Sequence, residues 1–79
     1  MMTIENFIEN FSALFDETDP SEFNSKTVFQ ELEEWSSLIV LSVIAMVDEE
    51  YDVILSAEDI RNCNTIEELF NFVKNQKNN

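Results

Sequence analysis

Apolar residues recur at helical spacing near the amino terminus of the chain. Within residues 3–15 they follow one another at intervals of one and three positions, so that one face of a helix accommodates Ile4, Phe7, Ile8, Phe11, Leu14 and Phe15. Thr3 is a suitable amino-terminal cap, and Glu5 lies in the first turn, where the helix dipole favours an anion. The pattern predicts a first helix over residues 3–15 with its phenylalanines in the core.

A second helix, predicted over residues 37–51, differs from the first because its apolar residues form two stripes. The predicted core stripe follows the helical spacing and consists of Val40, Val43, Ile44, Val47 and Tyr51. Leu38, Leu41 and Ala45 fall at positions i, i+3 and i+7 on a neighbouring face. Because a small helical domain needs one apolar stripe to fold, the second stripe is predicted to contact another molecule.

Two further helices are predicted in the last third of the chain. Ser56 is a suitable cap for a short helix over residues 57–61, which has acidic residues in its first turn. The segment from Thr65 to Glu68 has the form of a capping box, which predicts a final helix over residues 65–75. Its apolar stripe consists of Ile66, Leu69, Phe70 and Val73. Lys74 and Lys77 suit the carboxyl end of this helix.

A long acidic connection over residues 16–36 joins the first two helices. Pro20 predicts a turn near its start, because proline fixes φ and disfavours helical backbone in the preceding residue. The apolar side chains predicted to anchor the connection to the bundle are Phe23, Val28, Phe29, Leu32 and Trp35. Their spacing allows a helical or 3₁₀ turn between residues 26 and 34. Glu31, Glu33 and Glu34 are predicted to form a solvated acidic face.

Length and composition agree with this helical reading. The chain has 79 residues, no glycine and one proline, and it therefore lacks the residues that tight hairpins need. We predict a single domain with an all-α fold, a four-helix bundle with three longer helices, one short helix and a long loop between the first two. The apolar runs at residues 38–41 and 43–47 are far shorter than the roughly 20 residues of a membrane-spanning helix.

Charge and the remaining composition restrict the function further. Seventeen acidic and four basic residues give a net charge of −13, which disfavours binding to nucleic acid and to anionic membranes. This charge serves solubility, or it steers encounter with partners that present basic patches. The absence of histidine removes the commonest general base and metal ligand. A lone cysteine, Cys63, and the lack of a visible secretory signal favour a cytoplasmic location.

The order of these elements, together with several short motifs, resembles the acyl carrier protein family over nearly the whole chain. Ser37 and Leu38 open the second helix, and that helix ends in acidic residues around Tyr51. Residues 56–60 and 65–69 follow at the distances usual in the family. The resemblance implies that the hydroxyl of Ser37 receives 4′-phosphopantetheine from coenzyme A. The thiol of that arm would then hold an acyl group as a thioester.

The same resemblance implies the partners. The surface expected to meet them consists of Leu38, Leu41, Ser42, Ala45, Asp48 and Glu49. The expected partners are a phosphopantetheinyl transferase, and acyl-loading and synthase enzymes with basic patches from fatty-acid, polyketide or related biosynthesis. The chain itself would be a monomer and would catalyse no reaction.

Two departures from the family pattern keep an alternative open. The family has an acidic residue directly before the modified serine, where this chain has Ser36, and the glycine common before the motif is absent. Trp35 at that point is similar to free-standing carriers outside the housekeeping fatty-acid set. The alternative is an acidic helical adaptor that has the carrier fold but no prosthetic group.

Two other classes of function fit the sequence poorly. Residues 48–59 are acidic, but a calcium-binding helical pair needs alternating oxygen ligands and a glycine in its loop, which this segment lacks. A stand-alone enzyme that uses paired carboxylates would need a cleft, and the chain has neither a glycine-rich loop nor the length to form one.

Overall fold

Four α-helices and two 3₁₀ turns form the regular structure of residues 2–77, which are the residues that the computed structural model describes. The helices are α1 (Ile4–Ser12), α2 (Ser37–Tyr51), α3 (Ala57–Arg61) and α4 (Ile66–Lys77). The described residues contain no strand, and an isolated antiparallel bridge joins Val28 to Thr65. The prediction of an all-α bundle with three longer helices and one short helix is confirmed.

Each helix begins at a hydroxyl side chain that accepts a hydrogen bond from a backbone N–H three residues later. For α3 this pair is a full capping box, since Ser56 Oγ accepts from the N–H of Asp59 at 3.1 Å and Asp59 Oδ2 accepts from the N–H of Ser56 at 3.0 Å. The box predicted at Thr65 is formed differently. Thr65 Oγ1 accepts from the N–H of Glu68, but the Glu68 carboxylate accepts from the N–H of Asn64 instead of Thr65.

The observed first and last residues of α2 and α3 agree with the predicted ones, but those of α1 and α4 differ. α1 ends at Ser12 instead of residue 15, because the N–H groups of Leu14 and Phe15 donate to carbonyls only three residues back. This tighter turn places Phe15 in the core. α4 begins at Ile66 and extends to Lys77, past the predicted end at residue 75. The sequence also predicts a frayed tail over residues 75–79, but residues 75–77 belong to α4, and residues 78–79 lie outside the described residues.

The core face of α2 differs from the predicted stripe. Val43, Val47 and Tyr51 are buried as expected, but Val40 and Ile44 are only partly buried. Ile39 and Met46 are buried in addition. The prediction was wrong at these positions because α2 is apolar on most of its circumference, so that spacing alone does not select the face that packs against the other helices.

The long connection folds around a cluster of aromatic side chains. Phe23 and Phe29 are buried, and the rings of Phe15 and Phe23 lie 4.9 Å apart. Trp35 packs against Phe29 with ring centroids 5.0 Å apart. A 3₁₀ turn at Phe29–Glu31 lies within the predicted segment. Val28 is 39% exposed, and its prediction as an anchor of the connection was therefore wrong.

Polar groups of the same connection complete the ends of two helices. The carbonyls of Thr27 and Ser25 accept from the N–H groups of Ile66 and Glu67 at 3.1 and 3.0 Å, at the start of α4. The Gln30 side-chain amide donates to carbonyls at the end of α3, the shortest bond being 2.9 Å to Cys63. These bonds satisfy backbone groups that a helix leaves without partners at its ends.

Glu34 holds the start of the connection in place. Its Oε2 accepts from the N–H of Asp16 at 2.9 Å, and its Oε1 accepts from the N–H of Glu17 at 3.0 Å and from the Thr18 hydroxyl at 2.8 Å. The prediction of a solvated acidic face was therefore wrong for Glu34. Partial desolvation raises the pKa of this carboxyl, but the hydrogen bonds outweigh that effect and hold the pKa below its ordinary value of 4.5.

Acid is expected to loosen the loop that Glu34 holds. Because the folded-state pKa of Glu34 is lowered, its stabilisation is complete above pH 4.5 and is lost as the pH falls through the lowered pKa. Glu34→Gln keeps one acceptor oxygen but replaces the other with a donor NH₂ group, so it should lose at least one of these bonds at every pH and speed amide hydrogen exchange at Asp16 and Glu17. Glu31→Gln is the matched control, since it makes the same charge change on an exposed side chain. Equal exchange rates in the two variants would contradict this role of Glu34.

Asp52 ends α2 in a left-handed conformation that is unfavourable for it. Its φ of 57° is the only positive value among the non-glycine residues described, and its N–H donates to the Asp48 carbonyl at 3.0 Å. Glycine adopts this conformation without steric cost, whereas other L-residues lose about 1–2 kcal/mol. The Asp52 carboxylate also lies at the negative end of the helix dipole, which disfavours it.

Asp52→Gly is expected to stabilise the protein by about 1 kcal/mol, as measured by urea denaturation. Asp52→Ala removes the same charge but keeps the β-carbon, and it should therefore be less stable than the glycine variant by about that amount. A glycine variant no more stable than the alanine variant would show that the left-handed backbone costs nothing at this position.

Candidate functional site

Two adjacent serines at the start of α2 have different environments. Ser36 has extended backbone and acts as the cap, because its Oγ accepts a hydrogen bond from the N–H of Ile39 at 3.3 Å. Ser37 is the first residue of the helix and is exposed. Its hydroxyl makes no hydrogen bond to any group within residues 2–77. The structure therefore uses Ser36 to begin the helix and leaves the Ser37 hydroxyl accessible.

The first turn of α2 lacks the acidic residues that the other helices have there. α1 has Glu5 in its first turn, α3 has Glu58 and Asp59, and α4 has Glu67 and Glu68, whereas α2 has none. With seventeen acidic residues in the chain, α2 is the one of the four described helices whose first turn holds no carboxylate. The positive end of a helix dipole favours an anion, and a phosphate group on Ser37 would occupy that position.

An exposed apolar face begins one residue after Ser37. Leu38 is 72% exposed and Leu41 is 63% exposed, and Ala45 lies exposed on the next turn. These three residues were predicted to form the second stripe of α2, and they lie on the surface of the bundle. Large apolar side chains that lie exposed next to one another are typical of a surface that binds another molecule.

The polar residues predicted for the same surface lie at different distances from Ser37. Ser42 is half-buried and its hydroxyl donates to the Leu38 carbonyl at 3.1 Å. Asp48 and Glu49 are exposed in the last turns of α2, about 16–18 Å along the helix axis from Ser37 at the usual helical rise. The structure thus places the apolar residues beside Ser37 and the carboxylates at the far end, on one elongated face.

Side chains from two other helices hold the far end of α2, and sequence reasoning missed them. The Tyr51 hydroxyl donates to Asn6 Oδ1 at 2.8 Å and accepts from Asn10 Nδ2 at 3.0 Å. Lys77 Nζ donates to the Tyr51 carbonyl at 2.9 Å, at the end of α2 instead of α4. Burial raises the pKa of the Tyr51 phenol, with Glu50 adding to the shift and the bond from Asn10 opposing it. These contacts fix α2 against α1 and α4.

Trp35 fixes the chain directly before the two serines. Its ring lies 6.4 Å from that of Phe15 in a stacked arrangement and 5.0 Å from that of Phe29. The Glu34 carboxylate, one residue earlier, holds residues 16–18. Ser37 therefore stands between a packed connection and a well-anchored helix.

Other kinds of site have less support in the structure. The described residues include no group of three or more His, Cys, Asp or Glu side chains arranged to hold a metal ion. Cys63 is buried, and burial together with Glu68 and Asp59 raises the pKa of its thiol, which disfavours the reactive thiolate. Within residues 2–77, every helix is too short or too polar to cross a lipid bilayer.

Comparisons of the chain with protein-family models, with curated proteins and with solved structures found no match. A functional assignment must therefore be argued from the residues around Ser37 and from the arrangement of the four helices.

Proposed function

We propose that this protein is an acyl carrier whose Ser37 hydroxyl bears a 4′-phosphopantetheine arm taken from coenzyme A. The observation that supports this most directly is the division of roles between two neighbouring serines. Ser36 Oγ is engaged with the N–H of Ile39, whereas the Ser37 hydroxyl is exposed and has no partner among the described residues. A hydroxyl that serves neither capping nor packing is available for attachment of another group.

The surroundings of Ser37 fit a phosphodiester. The amino end of α2 presents its N–H groups and the positive end of its dipole, and its first turn holds no carboxylate that would repel a phosphate. The thiol at the end of the arm would hold acyl groups as thioesters and pass them between enzymes. Ser37 supplies the oxygen of the linkage, and the packing of Trp35 before it keeps that oxygen at a defined point on the surface.

The exposed face of α2 supplies the contacts that partner enzymes would use. Leu38 and Leu41 offer apolar area next to the attachment point, and Asp48 and Glu49 offer negative charge at the other end of the helix. This arrangement suits a phosphopantetheinyl transferase and acyl-loading or synthase enzymes with basic patches, which the net charge of −13 would attract. In this function the chain presents a substrate and catalyses no step itself.

An acidic residue at position 36 would cap α2 and would also supply negative charge to a transferase. Ser36 takes over only the capping. It caps α2 through the N–H of Ile39, so the helix start is preserved. It supplies no negative charge, and a transferase that recognises a carboxylate at this point should load the protein more slowly. The proposed carrier is therefore selective about the transferase that modifies it.

Intact-protein mass spectrometry tests the proposal. The purified chain is incubated with coenzyme A and, in turn, with several phosphopantetheinyl transferases of broad specificity. We expect the mass of one phosphopantetheine to be added, and fragmentation of the modified peptide to place it on Ser37. If every transferase leaves the mass unchanged, the exposed face of α2 belongs to an acidic adaptor without a prosthetic group, and the proposal is wrong.

A further inference from the structure

A groove between α1 and α2 forms a concave surface that attachment of an arm to Ser37 does not by itself explain. Its volume is about 410 Å³. The residues that line its middle are Asn10, Ala13 and Leu14 on the α1 side, and Ser42, Ala45 and Met46 on the α2 side. We call this surface the α1–α2 groove.

The floor of the α1–α2 groove is apolar. Ala13 and Ala45 are exposed on its two sides, and each side chain ends at the β-carbon. Leu14 is half-buried and Met46 is buried. Methionine has an unbranched and flexible side chain that fits irregular apolar surfaces. The floor therefore suits a narrow, flexible apolar group.

The groove begins close to the Ser37 end of α2. Leu38, Ser42 and Ala45 lie at positions i, i+4 and i+7, which places them on one face of the helix. Leu38 follows Ser37 directly and is 72% exposed. A group attached to Ser37 can therefore pass over the apolar surface of Leu38 into the groove.

The length of the proposed arm matches this path. Ser42 lies five residues after Ser37, which is about 8 Å along the helix axis. The arm has about 14 bonds between the serine oxygen and its sulfur, and it spans about 16 Å at the reach per bond of an extended peptide. The sulfur can therefore reach the near end of the groove with length to spare.

Two polar side chains on the wall of the groove have free acceptor oxygens. The Asn10 amide donates to Asn6 Oδ1 and to the Tyr51 hydroxyl, but its Oδ1 accepts from no donor within residues 2–77. The Ser42 hydroxyl donates to the Leu38 carbonyl and keeps its acceptor lone pairs. The arm contains amide N–H groups, which are suitable donors to both oxygens.

The interior of the bundle is filled by aromatic rings and suits an acyl chain less well. The Phe7 ring lies 5.6 Å from that of Phe70 and 5.7 Å from that of Tyr51, and the rings of Phe11 and Phe29 lie 5.6 Å apart. Protein interiors are close-packed, and extra methylene groups displace side chains at a cost in free energy. A chain in the groove leaves these rings in place.

We propose that the α1–α2 groove holds the acyl group of the arm on Ser37, outside the core of the bundle. The inference rests on the proposed carrier function and adds to it the place where the acyl group lies between enzymes. The groove is close enough for the tether, has an apolar floor for the hydrocarbon, and has acceptor oxygens for the amides of the arm.

The far end of the groove limits the length of the acyl chain. Glu49 and Glu50 line that end and are exposed. Hydrocarbon over their carboxylates would remove water without replacing its hydrogen bonds, which is unfavourable. The distance from Ser42 to Glu49 is about 10 Å at the helical rise, which is the length of an extended chain of about eight carbons. The groove therefore favours acyl chains of up to about this length.

Nuclear magnetic resonance of the full ¹⁵N-labelled chain tests the inference without a transferase. Ser37→Cys is combined with Cys63→Ala, which leaves one thiol in the chain. That thiol is alkylated with an iodoacetyl derivative of pantetheine that bears an octanoyl group through an amide. The acetyl derivative has the same arm without the longer chain and is the matched probe.

The octanoyl form should shift the amide signals of residues 10–14 and 42–46 relative to the acetyl form. Protons of the octanoyl chain should also give nuclear Overhauser effects to the Met46 methyl group, which lies on the floor of the groove. A dodecanoyl derivative should enlarge these shifts no further, because the groove ends at Glu49 and Glu50.

A pair of phenylalanine substitutions separates the groove from the rest of the surface. Ala13→Phe should fill the groove from the α1 side and remove most of the shifts that depend on the octanoyl chain, and the exposed position makes the substitution compatible with folding. Asn71→Phe adds the same ring at an exposed position of α4 and should leave those shifts unchanged.

Two locations of the chain would overturn the inference. Nuclear Overhauser effects from the octanoyl group to the rings of Phe7 or Phe70 would place the chain in the core. Equal spectra of the octanoyl and acetyl forms would place it in solvent. Shifts that persist in Ala13→Phe would also contradict the groove.

The tethered probes and enzymatic loading fail independently of each other. A protein that transferases load on Ser37, but whose tethered octanoyl chain avoids the groove, would keep the carrier proposal and reject the inference. A protein that no transferase loads, but whose tethered chain lies in the groove, would reject the carrier proposal and keep the groove as a surface that binds acyl chains.

Discussion

Replacing Ser37 by alanine is expected to abolish the addition of phosphopantetheine, whereas replacing Ser36 by alanine is expected to leave it intact. The two residues are neighbours of the same chemical type, and they form a matched pair of sites for the same substitution. Only the Ser37 hydroxyl is accessible without breaking a hydrogen bond of the fold. The expected effect on loading is therefore complete for one variant and small for the other.

The effects on stability are expected in the opposite order: Ser36→Ala should destabilise the protein, and Ser37→Ala should not. Ser36 Oγ accepts from the N–H of Ile39, and loss of such a cap costs about 1 kcal/mol. Ser37 makes no comparable bond within the described residues, and alanine is a good helix former at an exposed position. Ser37→Ala should therefore be as stable as the parent protein or slightly more stable.

Intact mass after incubation with coenzyme A and a transferase measures the first effect, and urea denaturation measures the second. The carrier proposal requires Ser37→Ala to be folded and unmodified and Ser36→Ala to be less stable but modified. Equal modification of the two variants would place the acceptor elsewhere in the chain. Loss of modification only in the Ser36 variant would reverse the roles assigned to the two serines.

Leu69→Ala is expected to remove most of the stability of the protein, while Leu41→Ala changes it little. Leu69 on α4 is fully buried at 0% exposure, whereas Leu41 on α2 is 63% exposed. Truncating a buried leucine to alanine costs about 2–5 kcal/mol through lost burial and the cavity left behind. A core of this size gives a free energy of unfolding of only about 3–5 kcal/mol in total. The Leu69 variant should therefore be largely or about half unfolded in water without denaturant.

The same truncation at Leu41 should stay within about 0.5 kcal/mol of the parent protein, because the side chain is already in contact with water. Urea denaturation followed by circular dichroism compares the two variants directly. A large loss of stability in Leu41→Ala would show that its side chain packs against the bundle instead of facing a partner. A small loss in Leu69→Ala would contradict the core described above.

Leu41→Ala has a second use because it preserves the fold. If the exposed face of α2 meets partner enzymes, this variant should be folded and yet bind a partner more weakly than the parent protein does. Binding energy at protein interfaces is concentrated in a few anchor residues, and Leu38 and Leu41 are large, exposed apolar side chains in the first two turns of α2.

The starts of the helices could be predicted from the sequence because capping is local. Thr3, Ser56 and Thr65 each accept a hydrogen bond from an N–H only three residues later, so the residues that define these helix starts are close together in the chain. The predicted stripe of Leu38, Leu41 and Ala45 has the same local origin, since helical spacing alone places those residues on one face.

The rotation of α2 was decided by tertiary packing. Because most of its surface is apolar, the spacing of residues allowed several faces to be buried, and packing against the other helices selected Ile39 and Met46 over Val40 and Ile44. In α1, which has one narrow apolar stripe, only that face can be buried, so the spacing of the apolar residues predicts the buried face.

The roles of Glu34 and Lys77 also required the folded structure. Glu34 binds N–H groups 17 and 18 residues before it, and Lys77 binds a carbonyl 26 residues before it. Sequence pattern reports which side chains share a helix face, because the helix repeat is fixed. It does not report which faces meet, because that depends on how the whole core packs.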